Sequence, residues 1–354
     1  MMAGHWYKYF RSVLFMLPPE MAHHAALLGI KMFPPRRNLP SPRLKITLAG
    51  MALDSPIGLA AGFDKDASAV DALFRIGFAA VETGTVTPRP QAGNPRPRLF
   101  RLIEDEAVIN RMGFPGRGLE YVVRRLASDH IGEGVLGVNI GANKDSADRR
   151  QDYQTCAARF LPLANYLTIN VSSPNTVGLR DLQAGSELYS LTQSVVKERD
   201  LWYDESRRFV PIFVKLAPDL DHDALKFALD GAIDAGATGF VLTNTTITRP
   251  SSLRGGDKQQ SGGLSGKPLA ALSLQHLMWA RQHLGPDVPL VSAGGVFTGA
   301  DVLERMLHGA NAVQLYTAMV YRGPGIVNLL HHELLEAMDK HGIAQLGDIK
   351  GLGA

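Results

Sequence analysis

The sequence predicts an α/β protein: a (β/α)8 TIM barrel with an N-terminal two-helix extension. Three observations predict it. Eight short apolar runs recur from residue 57 onward, helical patterns separate most of them, and polar residues gather at one end of nearly every run. The runs are 57–61, 78–82, 135–140, 166–171, 211–216, 239–243, 289–293 and 312–316. They are apolar on both faces, as strands of a parallel sheet covered on both sides must be. The helical patterns fall at 66–76, 119–129, 224–235, 269–283 and 300–308. No G-x-G-x-x-G follows the first run, which argues against an open doubly wound sheet. A length of 354 residues suits a barrel of about 250 residues with an appendage. Ahead of the barrel, 44–55 reads as a short hairpin with Gly50 near its turn.

The extension covers residues 1–40, and the barrel unit 41–354. Trp6, Phe10, Val13, Leu14 and Leu17 fall at helical spacing, with Lys8, Arg11 and Ser12 between them. Pro18-Pro19 stops that helix, and Pro19 and Glu20 suit the first turn of a second. Met21, Ala25, Leu28 and Met32 form the second helix's apolar stripe, which ends at Pro34-Pro35 before Arg36 and Arg37. A signal peptide would need a longer apolar centre and a small-residue cleavage site. Two readings remain open. The helices pack on the protein's own core, or they lie in a membrane interface and wall an entrance for a lipid-soluble ligand. Trp6, Tyr7, Tyr9 and Phe10, with cations beside them, favour the second.

Composition narrows the function classes. Hydrophobic residues at 45% and charged residues at 20% are ordinary for a globular protein and exclude a disordered or fibrous one. A net charge of +3 is too small to point to nucleic acid, though compatible with an anionic substrate or a membrane surface. Cys156 is the only cysteine, so an internal disulfide and a cysteine-based zinc site are excluded, and a reducing compartment is expected. No stretch reaches the ~18 apolar residues that span a bilayer.

Barrels gather their functional groups at the C-terminal ends of strands. Here those ends read Ala-Gly-Phe-Asp-Lys (61–65), Glu-Thr-Gly-Thr (82–85), Asn139, Asn-Val-Ser-Ser-Pro-Asn-Thr (170–176), Lys215, Thr-Asn-Thr (243–245), Gly294-Gly295 and Tyr316-Thr317. The paired glycines offer unobstructed backbone N–H groups to a phosphate, and Ser265-Gly266-Lys267 is a candidate third wall. GGLSGKP at 262–268 is not a P-loop, because Ser261 and Pro268 break the pattern. Lys215 lies within the run IFVKL, where a buried lysine must find an anion or lose its proton. Lys65 suits a substrate carboxylate, or else pairs with Asp64 or Asp66. Asn110, Asn139, Asn170, Asn175 and Asn244 present donor and acceptor together, as the imide and amide edges of a pyrimidine require, though each also suits a turn.

Ser172 and Ser173 precede Pro174 in a loop. No Ser-His-Asp arrangement accompanies them, which argues against a hydrolase. A serine can still relay a proton from an acidic carbon, through water or a threonine. Cys156 sits in a helical pattern and reads as a buried thiol. His331-His332-Glu333 lacks zincin spacing, and no metal is expected.

AAGFDK (60–65), ETGTVTPRPQAGNPRPRLFR (82–101), NRMGF (110–114), NVSSPNTVGLR (170–180), VKLAPDL (214–220), LTNTT (242–246) and GGLSGKPL (262–269) together resemble the dihydroorotate dehydrogenases. The likeness is to the quinone-dependent, membrane-associated class 2, and it covers nearly the whole chain. It implies an FMN-containing (β/α)8 barrel that oxidises (S)-dihydroorotate to orotate in de novo pyrimidine (UMP) synthesis and passes electrons to ubiquinone or menaquinone. By position, FMN is expected at Ala61, Gly62, Lys65, Thr85, Asn139, Asn170, Lys215, Thr243, Gly266, Gly295, Tyr316 and Thr317. Dihydroorotate is expected at Lys65, Asn110, Arg111, Met112, Gly113, Phe114, Asn170, Asn175, Asn244 and Thr245. Ser173 falls on the family's general base; class 1 enzymes carry cysteine there. His23, Arg101 and Tyr316 match residues lining the quinone tunnel, and PPEMAH (18–23) matches the start of the second helix. The resemblance further implies a monomer, peripheral on the cytoplasmic side of the cell membrane, with no nucleic-acid partner. The alternatives are an FMN barrel that uses fumarate or NAD, a flavin-free isomerase or lyase acting on a phosphorylated metabolite, and a membrane-docked scaffold.

Overall fold

The computed structural model describes residues 5–33, 38–128, 132–176 and 178–349, and for residues 5, 6 and 8–10 the backbone alone. The side chains of Trp6, Lys8, Tyr9 and Phe10, the Pro34–Arg37 stop and the expected helix end at Asp129 lie outside the described residues.

The chain opens with helices α1 (His5–Met16) and α2 (Pro19–Met32), then the hairpin β1 (Ile46–Leu48) and β2 (Met51–Leu53). Ala49 and Gly50 both take positive φ, +49° and +80°, the two-residue turn whose twist matches antiparallel strands. The barrel unit then runs β3 (Ile57–Leu59), α3 (Val70–Ile76), β4 (Ala80–Val86), β5 (Leu99–Leu102), β6 (Ala107–Asn110), α4 (Leu119–Ser128), β7 (Val135–Ile140) and α5 (Arg149–Phe160). It continues with β8 (Tyr166–Asn170), α6 (Gly185–Ser206), β9 (Ile212–Leu216), α7 (His222–Asp234), β10 (Gly239–Leu242), β11 (Gly263–Gly266), α8 (Ala270–Leu284) and β12 (Leu290–Ala293). It ends with α9 (Gly299–Leu307), β13 (Ala312–Leu315), α10 (Thr317–Arg322) and α11 (Ile326–Lys340).

Strands β3, β4, β7, β8, β9, β10, β12 and β13 close in that order into a parallel barrel, with β13 pairing back onto β3. Each of the eight apolar runs supplies one strand. All of their residues are buried, since helices cover the outer face and side chains fill the inner one.

Two departures from the sequence reading have local causes. The helix expected from residue 66 begins at Val70, because the Asp64 carboxylate accepts the Ser68 and Ala69 N–H groups (both 2.8 Å) and the Ser68 hydroxyl (2.9 Å). With Ala67 at φ +53°, those bonds hold 64–69 as a loop. The second departure is a three-stranded antiparallel sheet, in the order β11-β6-β5, that the run pattern did not contain. Its small core is Phe100, Leu102, Ala107, Ile109, Leu253 and Leu264.

One face of the helical extension packs on the protein's own barrel. Its inner face is fastened to the barrel: Tyr7 Oη donates to Val320 O (2.8 Å), Arg11 to Tyr321 O (3.0 Å), and Ala22 and Ile30 are buried. Its outer face leaves Val13, Met16, Met21, Leu28, Met32 and Phe33 exposed. No helix among the described residues is long and apolar enough to cross a membrane.

Candidate active site

The C-terminal ends of seven barrel strands converge on one cavity of ≈ 570 Å³, walled additionally by α2 and the three-stranded sheet. At its floor is Lys215 on β9, 6% exposed, which makes no hydrogen bond or ion pair with another described residue. Burial pulls its pKa down, and the Glu82 carboxylate pushes back. Beside it runs an amide–hydroxyl network. Asn139 Nδ2 donates to Glu82 (2.8 Å), Thr85 Oγ1 donates to Asn139 Oδ1 (2.6 Å), and Asn170 Nδ2 donates to Thr85 Oγ1 (2.9 Å). Asn244 Nδ2 then donates to Ser172 Oγ (2.9 Å), which itself donates to Asn170 Oδ1 (3.1 Å). These bonds fix the rotamers of Thr85, Asn170 and Asn244, which line the cavity.

The two serines separate. Ser172 is spent within that network, whereas Ser173 lines the cavity and its Oγ accepts the Asn175 N–H (3.3 Å). Asn175 Nδ2 donates to Asn110 Oδ1 (3.1 Å), so two amides from distant segments share one wall. Lys65 Nζ donates to Gly62 O (2.6 Å). Neither Asp64 nor Asp66 pairs with it: Asp64 caps its own loop, and Asp66 accepts the Arg117 N–H (2.8 Å). Burial lowers the Lys65 pKa to about 8 against the opposing pull of Asp66, Asp64 and Glu20.

At the far end the backbone opens toward an anion. Gly266, Gly294 and Gly295 take φ of +97°, +116° and +77°. A Cβ at Gly295 would lie 2.4 Å from Ala270 Cα, and at Gly266 2.3 Å from Glu106 O, so only glycine fits. Ser265 and Thr317 join hydroxyls at 2.8 Å beside them. Lys267 turns away to pair with Glu106 and contributes nothing to this wall. On the α2 side, the His23, Phe63 and Tyr316 rings stack edge-on in series, with centroids 5.0 and 5.6 Å apart. Burial drives the His23 pKa down to about 3 and that of Tyr316 up to about 12.

Ala61, Gly62, Met112, Gly113, Phe114, Thr243 and Thr245 also line the cavity. Three expected residues do not. Asn139 lies one layer behind it, holding Thr85 and Glu82. The Arg111 side chain leaves the site to reach Gln260 (2.9 Å) and stack on Phe100. Arg101 clamps the end of α1, donating to Phe15 O (3.1 Å) and Leu17 O (2.5 Å) over the Phe15 ring. Sequence reasoning named Glu82 only among the polar strand ends and gave no role to Gln314, a lone polar residue inside an apolar run. Buried Glu82 accepts from Gln314 (2.8 Å), Tyr166 and Thr168 (both 3.1 Å), forming a polar layer under the cavity.

This geometry has close counterparts. A family model described as dihydroorotate dehydrogenase matches residues 43–338. A Rhizobium etli protein named dihydroorotate dehydrogenase (quinone) is 44% identical over 344 residues, spanning 97% of this chain and 94% of its own. The protein of that name from Novosphingobium aromaticivorans is 44% identical over 351 residues, spanning 98% and 99%. The crystal structure of the Eimeria tenella enzyme DHODH in complex with ferulenol superposes with a TM-score of 0.90 at 38% identity, covering 96% of this chain and 98% of that one. Likeness of this extent over barrel, extension and cavity together means that the chain belongs to the dihydroorotate dehydrogenase family.

Proposed function

We propose that this chain oxidises (S)-dihydroorotate to orotate for pyrimidine synthesis, with a membrane quinone as the final electron acceptor and FMN as its flavin. One observation carries the reading. A single cavity joins a buried, unpartnered ammonium, an array of pyrimidine-suited amides, a serine hydroxyl and an aromatic passage toward an apolar hairpin. The site fits FMN in two respects. Lys215 lacks a described anionic contact where the charge of a reduced flavin ring would collect. The Gly266, Gly294 and Gly295 backbone, with the Ser265 and Thr317 hydroxyls, suits its phosphate. When bound, the flavin would supply a two-electron centre able to accept hydride and to reduce a quinone.

The chain's own residues do the rest. Ser173 Oγ takes the C5 proton and passes it to water. Asn110 and Asn175, bonded to each other, and Asn244, held by Ser172 Oγ and the Thr245 N–H, orient the ring by its amide edges. Lys65 holds the carboxylate. Lys215 stabilises the negative charge that builds at the flavin, in surroundings where water cannot screen it. His23, neutral throughout the working pH range, walls the quinone's path with Phe63 and Tyr316.

The exposed apolar side chains of α1 and α2 support peripheral binding on the cytoplasmic face of the membrane, where quinone enters between the helices. A barrel that reduced fumarate or NAD would need no such hairpin.

The test is an absorbance spectrum of purified protein under argon. Dihydroorotate should bleach the flavin band and added quinone restore it, while Ser173→Ala keeps the colour and loses the bleaching. A colourless protein, or bleaching unchanged by the substitution, overturns the reading.

A further inference from the structure

We propose that Glu20, on helix α2 of the quinone-side hairpin, is a positioning residue for the dihydroorotate half of the site. Its carboxylate, through Arg98 and Asn94, holds the loop that carries Ser173 and Asn175. The inference rests on the substrate reading above and deepens it.

The chain of contacts is direct. Glu20 accepts from Arg98 Nη2 (2.6 Å) and Nε (3.3 Å). Arg98 Nη1 donates to Ala92 O (2.6 Å) and Asn94 O (3.0 Å). Asn94 Nδ2 donates to Asn175 O (3.0 Å) and Arg111 O (3.1 Å). The Asn175 N–H donates to Ser173 Oγ (3.3 Å). Five residues from three distant segments thus run from the hairpin to the proposed base.

Three features make this more than an incidental surface pair. Arg98 is only 6% exposed, and Glu20 is the one carboxylate it pairs with among the described residues, so removing Glu20 strands a buried cation. The second carboxylate contact, from Arg96, is exposed and compensates little. The segment also packs without slack. A Cβ at Gly93 would lie 2.4 Å from Met112 O, and one at Gly113 2.7 Å from the Asn94 side chain. A shift at Arg98 is therefore passed on to 110–114 and to Asn175 rather than absorbed. Finally, the loop's other ties hold its two flanks: Arg180 donates to Ser172 O (3.0 Å) and Arg149 to Gly178 O (2.7 Å), leaving Asn175 to Asn94 and Asn110. The hairpin that meets lipid thereby bears on the geometry of the other substrate's site, and by linkage orotate bears on hairpin docking.

The experiment uses full-length holoprotein carrying Glu20→Gln, Asn94→Ala or both, with Met21→Ala as a control on the same exposed turn. Hydrogen exchange is followed in peptides covering 171–180, and orotate affinity by its perturbation of the flavin spectrum. Glu20→Gln should speed exchange in that loop and weaken orotate about fivefold. The double variant should be no worse than the worse single one, and Met21→Ala should leave exchange there unchanged. The proposal is overturned if Glu20→Gln leaves loop exchange and orotate affinity intact, or if the two substitutions add in full. The exchange measurement needs no ligand, so it judges the relay even if orotate proves not to bind.

Discussion

Lys65 can hold a carboxylate only while it keeps its proton, and burial brings its pKa down to about 8. Below that pH the free enzyme offers an ammonium; above it, a neutral amine bonded to Gly62 O. A bound carboxylate favours the charged form, so the limb belongs to the free enzyme. The kcat/KM for dihydroorotate should therefore fall about tenfold per unit above pH ~8, with kcat falling later. Lys65→Arg, whose charge persists, should flatten that limb whatever its cost in rate. A limb identical in the variant would assign it to another group. The residue scale also marks where reading the sequence stops. Asn170, Lys215 and Ser173 line the cavity, as their places at strand ends led one to expect. Which way a long side chain turns is not legible: Arg111 and Arg101 sit in matching motifs, yet their guanidiniums are claimed by Gln260 and by the carbonyls closing α1.

The hairpin is the element whose attachment depends on protonation. Docking buries His23 and lowers its pKa to about 3, from an ordinary 6.5. A group depressed on docking contributes attachment that is fully present above its free value and lost as pH falls from there. Glu20 acts in the same direction. Burial alone would raise its pKa, but Arg98 and Arg96 outweigh that and bring the net below the ordinary 4.5, so its contribution is lost only below that pH and the change between pH 7 and 5 belongs to His23. Acid should therefore release α1 and α2 before the barrel unfolds. Hydrogen exchange in 5–33 should accelerate as pH falls from 7 to 5 with exchange in the barrel strands unchanged (after correction for intrinsic rates), and His23→Phe should blunt the effect. Simultaneous loss of both regions would contradict it.

At this scale the barrel strands were legible from unbroken apolar runs, and the β1–β2 hairpin from Gly50. The sheet β5–β6–β11 was not. Its strands are four residues each, β11 is half glycine, and β11 joins β6 across more than 150 positions of chain, a pairing that no local period encodes.

The whole molecule combines two parts with different demands. The barrel closes on itself through eight strands, and among the described residues of α1 and α2 only Ile30 is buried in its main core. The sequence displays this division: apolar runs suited to burial after residue 41, and two short helical patterns with aromatic, methionine and basic residues before it. What it cannot display is that the parts share one cavity, because that depends on α2 lying against β5 and on His23 reaching Phe63. From this arrangement follows the effect of deleting residues 1–40. The barrel should fold and keep its flavin, since every group invoked for FMN lies in 41–354. Bleaching by dihydroorotate should weaken only modestly, on the order of fivefold, because the deletion removes Glu20 and the α2 wall but none of the groups that hold the substrate ring. Reoxidation by quinone should fall much further, roughly a hundredfold, because His23 and the helix that walls the passage are gone and the acceptor is no longer placed. Stopped-flow measurement of the two half-reactions separates these losses. Equal losses in both would mean that the quinone reaches the flavin without passing between the helices.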